Sequence, residues 1–251
     1  MHNPVNPKQV SHIVLDPKQI ECIVFWTKNP KPFMKYLDEV DSRGFRYYFQ
    51  FTITPYGKDI ECNVDKSDVI ETFMRLSDRI GKEKVIWRCD PIFLNSKYTT
   101  GYHEEKFGTL CKKLSSYTEK CVISFIDSYN FLKNTFLQND ITELSDDDIV
   151  TIIEKICVIA AEYKLPLVTC AEKIDLAKYG IAHNCCIDAE LISRLSGSVL
   201  PYKKDKNQRP ECGCAQSRDI GTYSTCRHGC VYCYAKRYAG VKAAGAIQTV
   251  L

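Results

Sequence analysis

The chain has 251 residues, 45% of them hydrophobic and 26% charged, a composition typical of a globular protein with one substantial core. Its formal net charge of +3, from 34 basic and 31 acidic side chains, is too close to balance to indicate a nucleic-acid partner by itself. It shows neither a secretory signal nor an apolar run long enough to span a membrane, so we expect a cytoplasmic protein with no membrane partner and with reduced cysteines.

Short runs rich in β-branched and aromatic residues are predicted to form the strands of a buried parallel sheet. In chain order they are residues 22–26, 46–54, 84–88, 121–126 and 166–170, with residues 10–15 and 198–200 as weaker candidates. Between them, apolar residues recur at helical spacing over residues 69–80, 107–114 and 149–159. Ser145 and Asp148 form a capping-box pattern that predicts the start of the last of these helices.

The alternation of strands and helices predicts an α/β fold, either a (β/α) barrel or an open doubly wound sheet. No G-x-G-x-x-G loop follows a predicted strand, which favours the barrel. Five clear strands are too few for a complete eight-stranded barrel, so residues 1–200 are predicted to form a partial TIM-like (β/α) barrel. Residues 201–251 are predicted to be a cysteine-rich, cluster-binding segment with a C-terminal helix, packed as part of the same domain.

The most informative motif is C-x-x-x-C-x-x-C, formed by Cys226, Cys230 and Cys233. Three thiolates on one tight loop can bind three irons of a 4Fe–4S cluster and leave the fourth iron free. With the aromatic Tyr232 before the last cysteine, the motif is similar to that of radical S-adenosylmethionine (SAM) enzymes, in which SAM binds the free iron. The favoured function is therefore a radical SAM-like enzyme: the cluster, reduced by a cellular electron donor, cleaves SAM, and the deoxyadenosyl radical takes hydrogen from an unknown substrate.

Two further cysteines, Cys212 and Cys214, leave other functions open. If either binds the fourth iron, the closed cluster would transfer electrons or hold the segment in place. If any four of the five C-terminal cysteines bind zinc, with or without His228, the site is a structural tetrahedral centre. A zinc-stabilised nucleic-acid-binding module is the last alternative, because residues 201–240 carry eight basic and three acidic side chains interleaved with tyrosines.

The other nine cysteines are predicted mostly to fill the core, since most of them lie in apolar runs. They are Cys22, Cys62, Cys89, Cys111, Cys121, Cys157, Cys170, Cys185 and Cys186. His183 precedes the last two and is predicted to be a loop histidine, with a secondary metal site as the alternative.

Several segments together resemble one family. The C-terminal CGCAQSRDIGTYSTCRHGCVYCYA, with FWTKNPKP, WRCDPI, SFIDSY and CAEKID, looks like the family called domain of unknown function 1848, over nearly the whole chain. The resemblance implies a C-terminal cysteine cluster similar to the one at the N-terminal end of radical SAM domains, as if the order of elements were permuted, and it implies no particular reaction. It also implies that a first barrel strand and some polar site residues, which precede the segment at Asn3 and Pro4 in family members, are missing.

In (β/α) barrels the functional groups lie at the C-terminal ends of the strands. The side chains predicted there, as candidates for substrate binding or catalysis, are Lys28, Arg88, Asp90, Asp127 and Glu172, with Asn29 and Thr54 beside them. Arg88 and Asp90 could equally form a structural ion pair. Asp127 and Glu172 are predicted to accept hydrogen bonds from the amino or ribose groups of SAM.

Overall fold

The computed structural model describes residues 12–221 and 225–235. Within these ranges six strands form one sheet in which every neighbouring pair is parallel. They are β1 (Ile23–Thr27), β2 (Tyr47–Thr52), β3 (Val85–Ile92), β4 (Cys121–Phe125), β5 (Leu167–Thr169) and β6 (Ala182–His183). The five strands predicted with most support are confirmed.

Seven α-helices lie among the described residues. They are α1 (Lys31–Met34), α2 (Leu37–Ser42), α3 (Lys66–Ile80), α4 (Thr100–Leu114), α5 (Lys133–Gln138), α6 (Asp146–Glu162) and α7 (Ala189–Ser196). The predicted capping box begins α6: the Ser145 hydroxyl accepts the Asp148 N–H at 3.2 Å, and the Asp148 carboxylate accepts the Ser145 N–H at 3.0 Å. No helix in the described part of the chain is long and apolar enough to cross a membrane.

The weaker strand predictions are wrong where they can be compared with the structure. Residues 12–15 and 198–200 form no strand, and residues 10 and 11 lie outside the described residues. The sixth strand is instead β6, so His183 belongs to a strand rather than to a loop. Its two exposed residues show no apolar alternation, and only pairing with β5 makes them a strand.

Strand order follows chain order from β1 to β6, and the sheet is not closed. The α/β class with a parallel sheet is confirmed, whereas barrel closure is not. One face of the sheet packs against α3, α4 and α6, where Trp87 of β3 stacks on Phe107 of α4 with ring centroids 5.4 Å apart. The other face packs Tyr48 and Ile86 against Leu191 of α7. Because side chains alternate along a strand, Gln50 and Arg88 project from this second face with Tyr48 and Ile86.

Some of the cysteines predicted to fill the core are buried there, and others are not. Cys89, Cys111 and Cys121 are buried between the sheet and the helices, and burial raises the pKa of each thiol. Cys62 is exposed, so the prediction is wrong for it. Cys62 lies in the long connection between β2 and α3, outside the apolar period of any strand or helix.

The cysteine-rich segment reaches the rest of the chain at separate points. The Ala215 N–H donates to the Ile187 carbonyl at 3.0 Å, and Cys230 forms an isolated antiparallel bridge with Glu61. The helix predicted for the C-terminus begins near Tyr234, and all of it beyond residue 235 lies outside the described residues.

Candidate functional site

The motif loop, residues 226–233, lies against the connection from β2 to α3. Besides the bridge between Cys230 and Glu61, the Val231 N–H donates to the Ile60 carbonyl at 2.8 Å. This connection leaves the C-terminal end of β2. The motif loop therefore lies at the edge of the sheet where the carboxyl ends of parallel strands meet, the usual place for functional groups in such sheets.

A glycine allows the motif loop to approach this connection. Gly229 has φ +67°, and a Cβ built on it would lie 2.3 Å from the Cys62 Sγ. The Asn63 N–H donates to the His228 carbonyl at 3.1 Å, which holds the two backbones together here. Both the left-handed conformation and the lack of space disfavour a larger residue at position 229.

A buried carboxylate joins the motif loop to two strand ends. Glu61 is 1% exposed, and its Oε1 accepts the Lys28 ammonium and the Thr54 hydroxyl, each at 2.7 Å. The Tyr232 hydroxyl donates to the same oxygen, and the Lys66 ammonium donates to Oε2. Glu61 thus binds two cations and the aromatic residue of the cysteine motif at once.

The charges of this network follow from burial and from the lysines. Burial alone would raise the pKa of Glu61, but the ammonium groups of Lys28 and Lys66 outweigh it and lower the pKa to about 2. Burial, reinforced by Glu61, raises the pKa of Tyr232 well above its usual range. At neutral pH Glu61 is therefore ionised and Tyr232 keeps the proton that it donates.

The three thiols of the motif differ in exposure. Cys226 is exposed, Cys233 is half-buried and Cys230 is buried. Burial raises the pKa of Cys230 to about 11, Lys28 opposes this shift, and Glu61, Cys233 and Cys226 add to it. Cys230 thus interacts electrostatically with each of the other two motif cysteines.

In number and chemistry these thiols fit a 4Fe–4S cluster, which needs three cysteines for three irons. Within residues 12–221 and 225–235, however, no three or more Cys, His, Asp or Glu side chains are already arranged around a metal position. Cluster binding would therefore have to draw the three sulfurs together.

The structure places Cys212 and Cys214 away from the packed group that contains Cys230 and Tyr232. They are buried beside Cys186, and Cys170 packs on the same group. We call Cys170, Cys186, Cys212 and Cys214 the inner thiol group. Four of the cysteines at the carboxyl edge of the sheet therefore form a second cluster, which the sequence patterns did not indicate.

Arg88 and Asp90 form the predicted ion pair on the second face of the sheet. Arg88 is buried, and its Nε donates to both carboxylate oxygens of Asp90 at 3.2 and 3.0 Å. Its Nη1 also donates to Gln50 at 3.3 Å and to the Cys186 Sγ at 2.9 Å. Through Cys186, Arg88 therefore contacts the inner thiol group and not the motif loop.

Asp127 and Glu172 lie beyond the ends of β4 and β5. Asp127 accepts two hydrogen bonds from the Arg209 guanidinium, at 3.2 and 2.5 Å. Glu172 accepts the Phe125 N–H at 2.9 Å. Burial raises the pKa of Glu172 to about 7, and the negative charges of Asp127 and Asp90 contribute. Asp127 is thus occupied by an arginine, whereas Glu172 is a carboxyl group that titrates near neutral pH.

Of the predicted strand-end residues, Lys28 and Thr54 contact the motif loop or its carboxylate. The Lys28 ammonium lies 5.5 Å from the centre of the Tyr232 ring. Asn29 turns away and donates to Asp68 of α3 at 3.0 Å. The residue that sequence reasoning missed is Glu61, which no motif, period or spacing distinguishes from the other acidic residues of the chain.

Comparison with protein-family models supplies a match. A family model described as Domain of unknown function (DUF1848) matches residues 1–235, a range that includes the motif loop. Neither the curated proteins nor the solved structures contain a match to this chain.

Proposed function

The chain belongs to the family Domain of unknown function (DUF1848), and we propose that it binds a 4Fe–4S cluster through Cys226, Cys230 and Cys233 and acts as a radical SAM-like enzyme. The observation that carries the proposal is the position of the motif loop. Three thiols of graded exposure lie on one loop at the carboxyl edge of a parallel sheet, above a buried network of charges.

We propose that the sheet is part of a (β/α) barrel. In support, the strands follow one another in chain order, and the main helices α3, α4 and α6 pack on a single face. In a barrel the second face, on which α7 packs against Tyr48 and Ile86, would be the interior, and the motif loop would lie over its mouth. The substrate would then bind between the motif loop and the polar groups of the strand ends, among which Glu172 could accept a hydrogen bond from SAM.

The packing of Cys212 and Cys214 in the inner thiol group favours an open cluster over a closed electron carrier, because it occupies the two cysteines that precede the motif most closely in the sequence. When bound, such a cluster supplies the electron that cleaves SAM into a hydrogen-abstracting radical. The proposal includes a cellular electron donor and a cytoplasmic location, where thiols stay reduced.

The residues of the chain would position this chemistry. Glu61 holds the Tyr232 hydroxyl, and Tyr232 precedes Cys233, so the carboxylate orients the last ligand of the motif. Lys28 is close enough to Cys230 to lower its pKa and would offset the negative charge of a bound thiolate. Lys28 and Glu61 are thus proposed as positioning residues.

The test is metal analysis of protein purified without oxygen. We expect about four irons and four sulfides per chain, a stoichiometry that defines the cubane cluster. We also expect an electron paramagnetic resonance signal of the reduced protein that changes when SAM is added. Cys230→Ala should lose the iron, whereas Cys62→Ala, which removes an exposed thiol beside the motif loop, should keep it.

A second variant distinguishes the open cluster from the closed one. Replacing Cys212 and Cys214 together by Ser should leave the iron content and the response to SAM unchanged. Loss or conversion of the cluster in this variant would indicate a fourth cysteine ligand and an electron carrier. Zinc without acid-labile sulfide at the motif loop would contradict the iron–sulfur assignment.

A further inference from the structure

Four cysteines from separate parts of the chain meet at the inner thiol group. Cys170 directly follows β5 and Cys186 lies three residues beyond β6, whereas Cys212 and Cys214 belong to the irregular segment of residues 201–221. Cys186, Cys212 and Cys214 are each 6% exposed. The Cys170 and Cys186 sulfurs are 3.0 Å apart.

Hydrogen-bond donors converge on these sulfurs. The Cys214 Sγ accepts the N–H groups of Cys186 at 3.1 Å and of Ile187 at 3.3 Å. The Arg88 guanidinium donates to the Cys186 Sγ at 2.9 Å. A neutral thiol is a weak acceptor, whereas a metal-bound thiolate is stabilised by amide and cationic donors. Two backbone amides and a buried arginine aimed at sulfur are therefore the surroundings of a thiolate site.

The segment that carries Cys212 and Cys214 has little regular secondary structure. Residues 201–221 contain no helix and only one isolated bridge, between Lys204 and Ala215. Irregular segments of this length usually need a ligand or a function to order them. Gly213 allows this segment to lie close to Cys185, because a Cβ on Gly213 would be 2.7 Å from the Cys185 Sγ.

We propose that Cys170, Cys186, Cys212 and Cys214 bind a single Zn²⁺ ion in a closed tetrahedral site that fastens residues 201–221 to the edge of the sheet. This site is distinct from the motif loop and does not depend on the iron–sulfur assignment. It also gives Cys212 and Cys214 a role that keeps them away from the motif loop.

The spacing of the sulfurs favours one metal ion over a cluster. Zinc–sulfur bonds of about 2.3 Å in a tetrahedron place the ligand sulfurs about 3.8 Å apart. Binding would have to rearrange the group, because in the described part of the chain no three of these side chains already surround a metal position and the Cys170 and Cys186 sulfurs are only 3.0 Å apart. The cysteines of a cubane cluster bind different irons and lie much farther apart, which would require the group to open.

Cys185 provides a matched control in the same loop. Its Sγ donates to the Gly213 carbonyl at 3.1 Å rather than joining the four sulfurs. A Ser at this position can make the same hydrogen bond. Cys185→Ser therefore removes a neighbouring thiol without removing a ligand.

The experiment uses the full chain with Cys226, Cys230 and Cys233 replaced by Ala, so that a cluster at the motif loop cannot contribute. Protein made in medium with zinc should contain about one zinc and no iron per chain. Adding Cys214→Ser should reduce the zinc more than tenfold, and adding Cys185→Ser should leave it unchanged. Because the motif cysteines are absent, failure of this site and failure of the proposed function are separate results.

A second measurement avoids variants that fail to fold. Protein with the inner thiol group intact, stripped of metal and titrated with Co²⁺, should show sulfur-to-cobalt charge transfer and the visible bands of a tetrahedral tetrathiolate site. A Co²⁺ spectrum without thiolate charge transfer would overturn the proposal. So would zinc that survives Cys214→Ser, or iron with acid-labile sulfide in the protein that lacks the motif cysteines.

Discussion

The motif loop and the inner thiol group both place cysteines of irregular segments at the carboxyl edge of the same sheet, but their surroundings differ. In the motif loop one thiol is exposed, and the layer beneath consists of Glu61 and two lysines. In the inner thiol group three sulfurs are buried, and N–H groups point directly at them. An exposed side allows a ligand to enter, whereas a closed shell only holds the chain together. The surroundings of sulfur, rather than the number of cysteines, therefore distinguish the two sites.

The largest effect should come from removing the charge beneath the motif loop. Glu61→Gln keeps the shape of the side chain but leaves Lys28 and Lys66 without their shared carboxylate. Because Lys66 is 29% exposed, we expect a loss of about 2–3 kcal/mol in the free energy of unfolding, below the range for a fully buried pair. Urea denaturation measures this loss. Glu39→Gln, which breaks an exposed ion pair with Arg43, should cost less than about 0.5 kcal/mol.

The difference in stability between the wild type and Glu61→Gln should depend on pH. Glu61 has its pKa lowered from 4.5 to about 2, so its ionised form stabilises the folded protein above pH 4.5. This stabilisation is lost as the pH falls from 4.5 through 2. The difference between the wild type and Glu61→Gln should shrink over that window. An unchanged difference would show that the charge of Glu61 does not stabilise the folded protein.

A smaller effect should come from the close approach of the motif loop. Gly229→Ala meets both an unfavourable φ and the Cys62 sulfur, whereas Gly180→Ala has φ +75° with open space around its Cβ. The shared backbone cost is about 1–2 kcal/mol. The additional steric cost at position 229 should open the motif loop. If this cost is about 1.4 kcal/mol, an alkylating reagent should label Cys230 about ten times faster than in Gly180→Ala.

Mass spectrometry of the peptide that contains Cys230 measures this rate. Adding Cys62→Ala to Gly229→Ala should remove the steric part and bring the rate back toward that of the wild type. If the two glycine variants label Cys230 equally fast, the motif loop does not depend on its approach to Cys62.

The last effect concerns Glu172, two residues after Cys170 in the chain. Its pKa is raised from 4.5 to about 7, so the folded protein keeps this proton where the unfolded chain has lost it. The stability that the proton contributes is complete below pH 4.5 and is lost as the pH rises through 7. Glu172→Gln should therefore gain stability relative to the wild type over this interval and show no further change above it. Thermal unfolding at pH 5, 6, 7 and 8 measures the gain, and a constant difference would contradict the assignment.

Much of the fold was accessible from local patterns. The apolar runs predicted β1 to β5, and Ser145 with Asp148 predicted the start of α6, because both signals depend only on neighbouring residues. The spacing of the motif cysteines likewise predicted thiols on one loop. The two-residue β6 and the exposure of Cys62 escaped these rules, since neither has a local period.

By itself, the sequence determined the α/β class, the family and the cysteine motif, since short-range period, spacing and composition carry them. Only the tertiary structure decided which distant side chains contact one another. Glu61 meets Tyr232 across 171 positions of the chain, and Cys186 meets Cys214 across 28. Such contacts depend on how the strand ends are brought together by the whole sheet, which no local pattern records. For that reason Cys212 and Cys214 looked like neighbours of the motif cysteines in the sequence but lie with Cys186 in the folded protein.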